Sequence, residues 1–272
     1  MRPVVSSFAT ACLLGFVACA PASGPSVLGY DEFKAQAFHD AETDTFVVNG
    51  DELIESEQAM RTAYDSYVDS AAETAEPGLG ISQQGLIVNR VGSSDDKWSS
   101  TTAANLTYCV SSSSFGSRYN TVVNAMASAT ATWQATANVK FVHSTASDSS
   151  CSRTTGVVFN VRQVSGQSYL ARSFFPSSSR SSREVLIDSS SFGSISPYTL
   201  AGILRHELGH TLGFRHEHTR PEAGTCFEDN SWRALTAYDA ASVMHYPQCN
   251  GSNTGDLVLT SRDKTGARAL YP

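Results

Sequence analysis

The sequence has few charged residues, and no part of it concentrates positive charge. Charged side chains make up 17% of the 272 residues, and 26 acidic residues against 19 basic ones give a formal net charge of -7. Nucleic-acid binding depends on clustered Lys and Arg, so this balance argues against a nucleic-acid partner. Beyond the N-terminus, no apolar run reaches the roughly 20 residues that a transmembrane helix needs. Attachment to a membrane would therefore require a lipid anchor.

The N-terminus has the features of an export signal. Arg2 precedes a mostly apolar run from Val4 to Ala18 that ends in small residues. The run is too short to span a bilayer stably, which favours a signal peptide over a membrane anchor. We predict that residues 1–20 are the signal peptide. The protein would then act outside the cytoplasm, in the extracellular space or on the outer surface of a bacterium.

Two fates of the signal peptide stay open. Residues 16–19, Phe-Val-Ala-Cys, resemble a bacterial lipobox, in which Cys19 would become the lipidated first residue, although leucine usually stands at the position of Phe16. The alternative is cleavage after a small residue near Ala20 or Ala22, which would release the protein. Only the first fate would tie the protein to a membrane.

Cysteine is scarce, and the Cys-x-x-Cys spacing of many zinc sites does not occur. Four of the six cysteines lie outside the signal region. They are Cys109, Cys151, Cys226 and Cys249. An even number of cysteines in an exported chain predicts two disulfides. Three pairings are open, of which the simplest joins neighbours along the chain, Cys109 with Cys151 and Cys226 with Cys249.

One short stretch places three histidines and a glutamate at the spacing of a catalytic metal site. His206 and His210 are four residues apart, so on a helix they share a face and can bind one ion. Glu207 would lie about 100° around that helix, where its carboxylate can reach a water on the metal as a base. Glycine adopts a left-handed C-terminal turn cheaply, so Gly213 can end the helix and bring in His216 as third ligand.

The pattern His-Glu-x-x-His-x-x-Gly-x-x-His resembles the metzincin metalloproteases, in which a methionine-containing turn follows it. Such a turn is present at Ser242-Val243-Met244-His245-Tyr246. This turn and Glu217 are similar to the astacins, whereas the run from Gly213 to Pro221 looks like bacterial peptidases known as dual-action HEIGH metallopeptidases. The two branches stay open. The resemblance covers roughly residues 98–272.

The resemblance implies a zinc endopeptidase with one catalytic ion bound by the three histidines. Glu207 would activate the zinc-bound water for attack on a peptide bond. Tyr246 matches the astacin tyrosine that binds zinc at rest and then stabilises the oxyanion; its alternative is a buried aromatic. Met244 would form the apolar floor under the histidines. His218 and His245, which flank the motifs, would form hydrogen bonds instead of binding zinc.

The resemblance also implies protein or peptide substrates, bound in an extended conformation by a monomer. In metzincins the edge strand of the sheet borders the cleft, and by element order it is the segment 169–175. A substrate would add to this edge as a further strand. Calcium is a separate question: the run Glu228-Asp229-Asn230 could ligate calcium but fits an ordinary loop equally well, so a calcium site is unsupported.

An acidic, helix-favouring stretch without cysteine precedes the metal motif. It ends in the turn-rich run from Glu76 to Gly80. We predict residues 21–84 as pro-segment and linker, and residues 85–272 as a metzincin-type catalytic domain. Asp51 resembles the aspartate of astacin pro-segments that occupies the open position of the zinc and keeps the enzyme latent. Its alternative is a Gly-Asp turn between a strand and a helix, because Phe46 lies two residues too far upstream for the astacin pattern.

Periodicity in the catalytic region predicts helices packed on a sheet, and the resemblance to the metzincins implies that they form an α+β fold of the zincin type. A helix with one apolar face is expected over 118–134 and the metal-binding helix from Ser196 as N-cap, with Pro197 at its first position. A closing helix is expected from Ser261 to about Leu270. Short strands rich in β-branched or aromatic residues are expected at 106–110, 139–143, 157–162, 169–175 and 184–188. They would form a mixed, twisted sheet. The metzincin resemblance implies that a small irregular C-terminal subdomain with the methionine turn follows it.

Two other functions compete with a general protease. A surface adhesion or recognition protein could retain zinc as a structural element without turnover, but such a role would not require Glu207. A peptidase restricted to cell-wall peptides keeps the chemistry and changes the substrate.

Overall fold

A computed structural model describes residues 27–74 and 86–272. The predicted signal peptide with Cys19, and the linker up to residue 84, lie outside the described residues. Within these ranges, no helix is long and apolar enough to cross a membrane.

A mixed sheet forms the centre of the fold. Its strands are β6 (Leu106–Val110), β7 (Phe141–His143), β8 (Phe159–Val164), β9 (Ala171–Arg172) and β10 (Glu184–Asp188). The spatial order is β7-β6-β8-β10-β9, with β9 antiparallel to β10 at one edge and the other neighbours parallel. β10 is buried along its whole length and β8 at four of its six residues, as expected for parallel strands that are covered on both faces.

Two helices pack together on one face of the sheet. They are α5 (Tyr119–Gln134) and α6 (Leu200–Thr211). Trp133 of α5 is fully buried, donates from Nε1 to the Arg205 carbonyl oxygen at 2.9 Å, and stacks on Phe214. Replacing such a residue with alanine typically costs about 3–5 kcal/mol of stability. The metal-binding helix is thus held by a packed core.

Residues 27–74 cover the opposite face of the sheet. They form α1 (Tyr30–Ala35), β1 (Phe38–Asp40), β2 (Thr45–Val48), β3 (Glu52–Ile54) and α2 (Glu57–Thr74). The three strands make an antiparallel sheet of their own. Val47 packs against Val164, Tyr169 and Leu186 of the central sheet. The segment therefore docks on the rest of the chain through buried side chains.

The remaining elements are short, apart from the closing helix. They are β4 (Ile87–Val91), β5 (Ser94–Asp95), α3 (Ser100–Ala103), α4 (Ser112–Phe115), β11 (Trp232–Ala234) and α7 (Ser261–Leu270). β4 pairs with β11, and its residues also bond to the chain that follows α6. Asn89 N donates to the Gly213 carbonyl oxygen, and Arg215 N to that of Ile87, which fixes the path leading to His216.

The architecture confirms the predicted α+β class and its mixed sheet. The helices α5 and α7 and the strands β6 and β10 begin and end within one residue of the predicted bounds. The predicted start of the metal-binding helix is wrong. Helix α6 begins at Leu200, where the Thr199 side chain accepts a hydrogen bond from Gly202 N. Pro197 precedes it in a turn that Tyr198 N closes on the Ile195 carbonyl oxygen, so Ser196 is no cap.

Candidate metal centre

Helix α6 and the turn after it bring the three predicted histidines together. His206 and His210 lie on α6, and Gly213 follows it with φ +96°. A Cβ at Gly213 would collide with the Asp96 carbonyl oxygen, so glycine is needed both for the turn and for space. The turn directs His216 back to the helix, and all three rings are buried.

The inner nitrogens of the three rings converge with one carboxylate. His206 Nε2 and His216 Nε2 lie 3.3 Å apart. Asp51 places Oδ2 3.1 Å from His206 Nε2, and Oδ1 lies 3.0 Å from His216 Nε2 and 3.5 Å from His210 Nε2. These separations are the size expected of ligands that share one ion at about 2.0–2.1 Å.

The outer nitrogen of each ring contacts a hydrogen-bond acceptor. His206 Nδ1 contacts the Val243 carbonyl oxygen at 2.7 Å, and His210 Nδ1 that of Phe214 at 2.8 Å. His216 Nδ1 contacts a carboxylate oxygen of Glu228 at 2.7 Å. An Nδ1–H that donates outward leaves the Nε2 lone pair directed at the centre, the form in which histidine binds a metal.

Two inner atoms lack a hydrogen-bond partner, and a metal ion would satisfy both. They are His210 Nε2 and Asp51 Oδ1, both buried. Buried polar atoms are rarely left unsatisfied without a reason, so these two indicate a ligand between them. The donor set of three imidazoles and a carboxylate is one that zinc accepts. The residues therefore fit a zinc ion.

Asp51 reaches this centre from the segment that precedes the catalytic region. It lies in the turn between β2 and β3, not between a strand and a helix as the alternative interpretation had it. Burial alone would raise the pKa of Asp51, but the nearby His216 and His210 hold it well below its usual value. The neighbouring Glu52 contacts Arg215 at 3.3 Å, which adds a buried ion pair to the docking of this turn.

Glu207 lies beside the centre without a hydrogen bond to Oε2. Its side chain is buried, and burial together with the Asp51 carboxylate raises its pKa well above 4.5. It lines a cavity of about 260 Å³ that also contacts His206, Asp51 and Tyr246. Glu207 therefore lies at the cavity and outside the cluster of Asp51 and the three histidines.

Tyr246 and Met244 flank the histidines from the predicted turn. The Tyr246 ring centroid lies 4.5 Å from that of His216 and 5.5 Å from that of His206. Burial and then the Asp51 charge raise the pKa of Tyr246 well above 10, which keeps its hydroxyl protonated. Met244 is fully buried beneath α6, where a Cβ at Gly209 would collide with its sulfur.

Helix α7 fixes the methionine turn. The Asp263 carboxylate accepts hydrogen bonds from Ser242 Oγ at 2.6 Å and from Val243 N at 2.9 Å. The Val243 carbonyl oxygen in turn accepts from His206. A hydrogen-bonded path thus joins the closing helix to the metal centre.

His218 and His245 form hydrogen bonds outside the central cluster of three histidines and Asp51, and the His218 ring stacks on that of His216. The main-chain N of Tyr246 donates to His218 Nδ1 at 3.2 Å. His245 Nε2 contacts the Tyr238 hydroxyl at 2.8 Å, and burial lowers the pKa of His245 to about 4. Both histidines therefore have hydrogen-bonding roles in the structure.

The edge strand is shorter than predicted. Of the expected segment 169–175, the strand β9 that pairs with β10 comprises Ala171 and Arg172. The preceding residues line the cavity beside Glu207. Both predicted disulfides are present in the simplest pairing, Cys109 with Cys151 and Cys226 with Cys249.

Sequence reasoning missed Glu228 and Arg215. Glu228 contacts His216 and Arg215, and Asp229 contacts Arg215 at 2.6 Å. Glu228 and Asp229 belong to the loop that the sequence analysis considered for calcium. Both carboxylates instead contact the guanidinium group of Arg215. No spacing pattern in the sequence connects an acid in this loop to the third histidine.

The chain is similar to known metallopeptidases in the region that contains this metal centre. Residues 97–223 match the matrixin model of the M10 peptidases. Blastula protease 10 of Paracentrotus lividus is 31% identical over 81 residues, or 23% of this chain and 14% of that protein. Tolloid-like protein 1 of Homo sapiens is 37% identical over 89 residues, or 25% of this chain and 9% of that protein. The structure of myroilysin shares 19% identity at a TM-score of 0.48, covering 68% of this chain and 98% of the other.

The matrixin match and the two motifs support a metzincin metallopeptidase. That family implies a zinc ion and peptide substrates. The chain spans less than a sixth of the length of the two relatives named above. The activity of the chain itself is therefore a proposal.

Proposed function

We propose that this chain is an exported zinc endopeptidase made as a latent precursor. The observation that carries the proposal is the convergence of three Nε2 atoms whose rings each have an acceptor at Nδ1. Lone pairs that face each other at 3.3 Å repel unless a cation lies between them. A zinc ion held by His206, His210 and His216 would supply Lewis-acid chemistry, polarising a carbonyl group and lowering the pKa of water.

Glu207 is the general base in this proposal. Its unpaired Oε2 would accept a proton from the attacking water and then deliver that proton to the leaving amine nitrogen. Burial and the Asp51 carboxylate raise the pKa of Glu207, and removing the Asp51 charge would lower it toward the range useful for a base.

Tyr246 would stabilise the oxyanion of the tetrahedral intermediate. Its hydroxyl stays protonated, so it can donate a hydrogen bond as negative charge develops on the substrate oxygen. The hydroxyl approaches Gly50 of the turn that carries Asp51, where a Cβ would lie 2.7 Å from it. Departure of that turn would leave the hydroxyl free to face a substrate.

The substrate would bind along β9 as an added strand. Among the described strands it pairs with β10 alone, and it is the edge of the central sheet on the side of Glu207. Main-chain hydrogen bonds from such an edge accept many sequences, which favours unfolded or extended protein chains. Selectivity would come from the cavity beside Glu207, whose walls include Tyr198, Ile203 and Leu257 and would favour an apolar side chain.

Asp51 would keep the precursor latent. Its carboxylate oxygens lie 3.0–3.5 Å from the three Nε2 atoms, so Asp51 would take the fourth position on the ion in place of water. We infer that residues 21–84 are the pro-segment, that residues 85–272 form the catalytic domain, and that cleavage between the two starts activation. Two disulfides support export, because such bonds persist in oxidising compartments.

The experiment that tests this function uses the whole chain with a site-specific cleavage sequence introduced into residues 76–82. The protein folds before it is cut, and chromatography then removes the released pro-segment. We expect the cut protein to hydrolyse quenched casein and a zinc chelator to abolish the hydrolysis. Hydrolysis of purified peptidoglycan alone would indicate a cell-wall peptidase. A zinc-loaded protein that cleaves neither substrate would indicate a recognition protein and would refute the proposal.

A further inference from the structure

The three histidines differ in what holds their outer nitrogens. His206 and His210 contact main-chain carbonyl oxygens, whereas His216 Nδ1 contacts the carboxylate of Glu228 at 2.7 Å. We propose that Glu228 is a positioning residue that orients the His216 ring and strengthens its hold on the metal. This inference rests on the zinc site proposed above.

Glu228 is itself fixed in place. Its side chain is buried, and Oε2 accepts a hydrogen bond from Arg215 Nη2 at 2.9 Å. Its main-chain N donates to Thr219 Oγ1 at 3.0 Å. Two residues earlier, the disulfide of Cys226 ties the loop to Cys249, just beyond the methionine turn. A side chain held in this way can impose one ring orientation on His216.

The charge of Glu228 should matter as well as its place. A carboxylate that accepts from a ligating histidine makes the opposite ring nitrogen a stronger donor to the metal. Charge-assisted hydrogen bonds are also about twice as strong as neutral ones. The two main-chain carbonyl oxygens at His206 and His210 lack this charge, so His216 gains most from its partner.

A second metal between His216, His218 and Glu228 is the competing interpretation, since their ligand atoms lie close together. The 2.7 Å contact of Glu228 with His216 is a hydrogen-bond length. Two ligands that shared an ion at about 2.0–2.1 Å would lie further apart in tetrahedral geometry. His218 also contacts Tyr246 N through Nδ1. The contacts therefore favour hydrogen bonding.

Three variants of the full chain test the proposal. Glu228→Gln keeps the shape and removes the charge, and Glu228→Ala removes the contact. Asp229→Asn is the matched control, because it neutralises another carboxylate bonded to Arg215 that does not contact His216. The measurement is the zinc dissociation constant, obtained by competition with a chelator. Thermal unfolding of the metal-free proteins checks that each variant folds.

We expect zinc binding to weaken about tenfold in Glu228→Gln and toward a hundredfold in Glu228→Ala, with Asp229→Asn close to wild type. Equal affinity of wild type and Glu228→Gln would overturn the inference, as would an equal loss in Asp229→Asn. If Glu228→Ala does not fold, the zinc affinity of Glu228→Gln alone tests the inference. A wild-type chain that binds no zinc would instead refute the proposed function, so the two failures are distinguishable.

Discussion

Asp51 Oδ2 lies 3.1 Å from His206 Nε2, although 155 positions separate the two residues in the chain. The contact joins the segment that precedes the catalytic region to the first histidine of the metal centre. It places an anion where the proposed reaction needs water and substrate. The Asp51 carboxylate and the substrate could therefore not occupy the metal centre at the same time.

Replacing Asp51 with alanine should raise the activity of the uncut precursor. A charged contact of this kind contributes about 1.5–3 kcal/mol, which corresponds to an increase of roughly tenfold to a hundredfold. The rate at which the uncut full chain hydrolyses quenched casein measures this increase. Asp65→Ala, an exposed change on α2 of the same segment, is the control. Unchanged latency in Asp51→Ala would rule out the aspartate as the inhibitory ligand.

Gly50→Ala should also weaken latency, although it leaves the carboxylate in place. Gly50 has φ +100°, and a Cβ there would lie 2.7 Å from the Tyr246 hydroxyl. Strain of about 1–3 kcal/mol should shift the turn out of the site and raise precursor activity. Gly92→Ala is a matched control, because Gly92 has φ +59° with nothing within 4 Å. An equally latent Gly50→Ala precursor would show that the turn absorbs the methyl group.

Tyr246→Phe should slow the chemical step with little effect on substrate binding. Loss of one oxyanion donor typically lowers kcat by about 10²–10³-fold. Steady-state kinetics of the cut protein separate kcat from KM. Tyr119→Phe is the control, since its hydroxyl contacts Asp148 and lies outside the site. A raised KM with unchanged kcat would assign Tyr246 to substrate binding.

Glu184 should make stability depend on pH in the acid range. Burial alone would raise its pKa, but Arg162 and the other hydrogen-bond partners lower it below 4.5. Because the folded pKa lies below the unfolded value, the stabilisation is present above pH 4.5 and is lost as pH falls through the folded pKa. Glu184→Gln should lose stability at pH 7, and its gap to wild type should narrow below pH 4.5. Urea unfolding measures the free energy of unfolding of both proteins at each pH. A difference between them that does not change with pH would contradict the lowered pKa of Glu184.

Much of the fold and the centre could be predicted from the sequence, because both depend on local spacing. The period of the apolar residues located α5, and the motif placed His206, Glu207 and His210 on one helix. The order of elements identified the edge strand. Such patterns arise from the geometry of a single element and therefore do not depend on distant contacts.

Other features depend on contacts between distant parts of the chain and could not be predicted. The composition from Gly29 to about Gln84 favours helix, but the structure places three strands of three or four residues there, β1, β2 and β3, and Val47 of β2 docks on the central sheet. The start of α6 was misplaced because Pro197 also suits a turn. The contact of Glu228 with His216 depends on how a loop folds back, which no spacing records.

The most direct test of the central claim compares Glu207→Gln with Glu222→Gln, an exposed control, after removal of the pro-segment. Both proteins are brought to the same zinc content, measured by mass spectrometry, and casein hydrolysis is then followed at neutral pH. We expect Glu207→Gln to retain zinc and to lose roughly 10²–10⁴-fold in rate, while Glu222→Gln keeps the wild-type rate. Zinc-loaded Glu207→Gln that cleaves casein as fast as wild type would contradict the account of the site as a Glu207-dependent zinc endopeptidase.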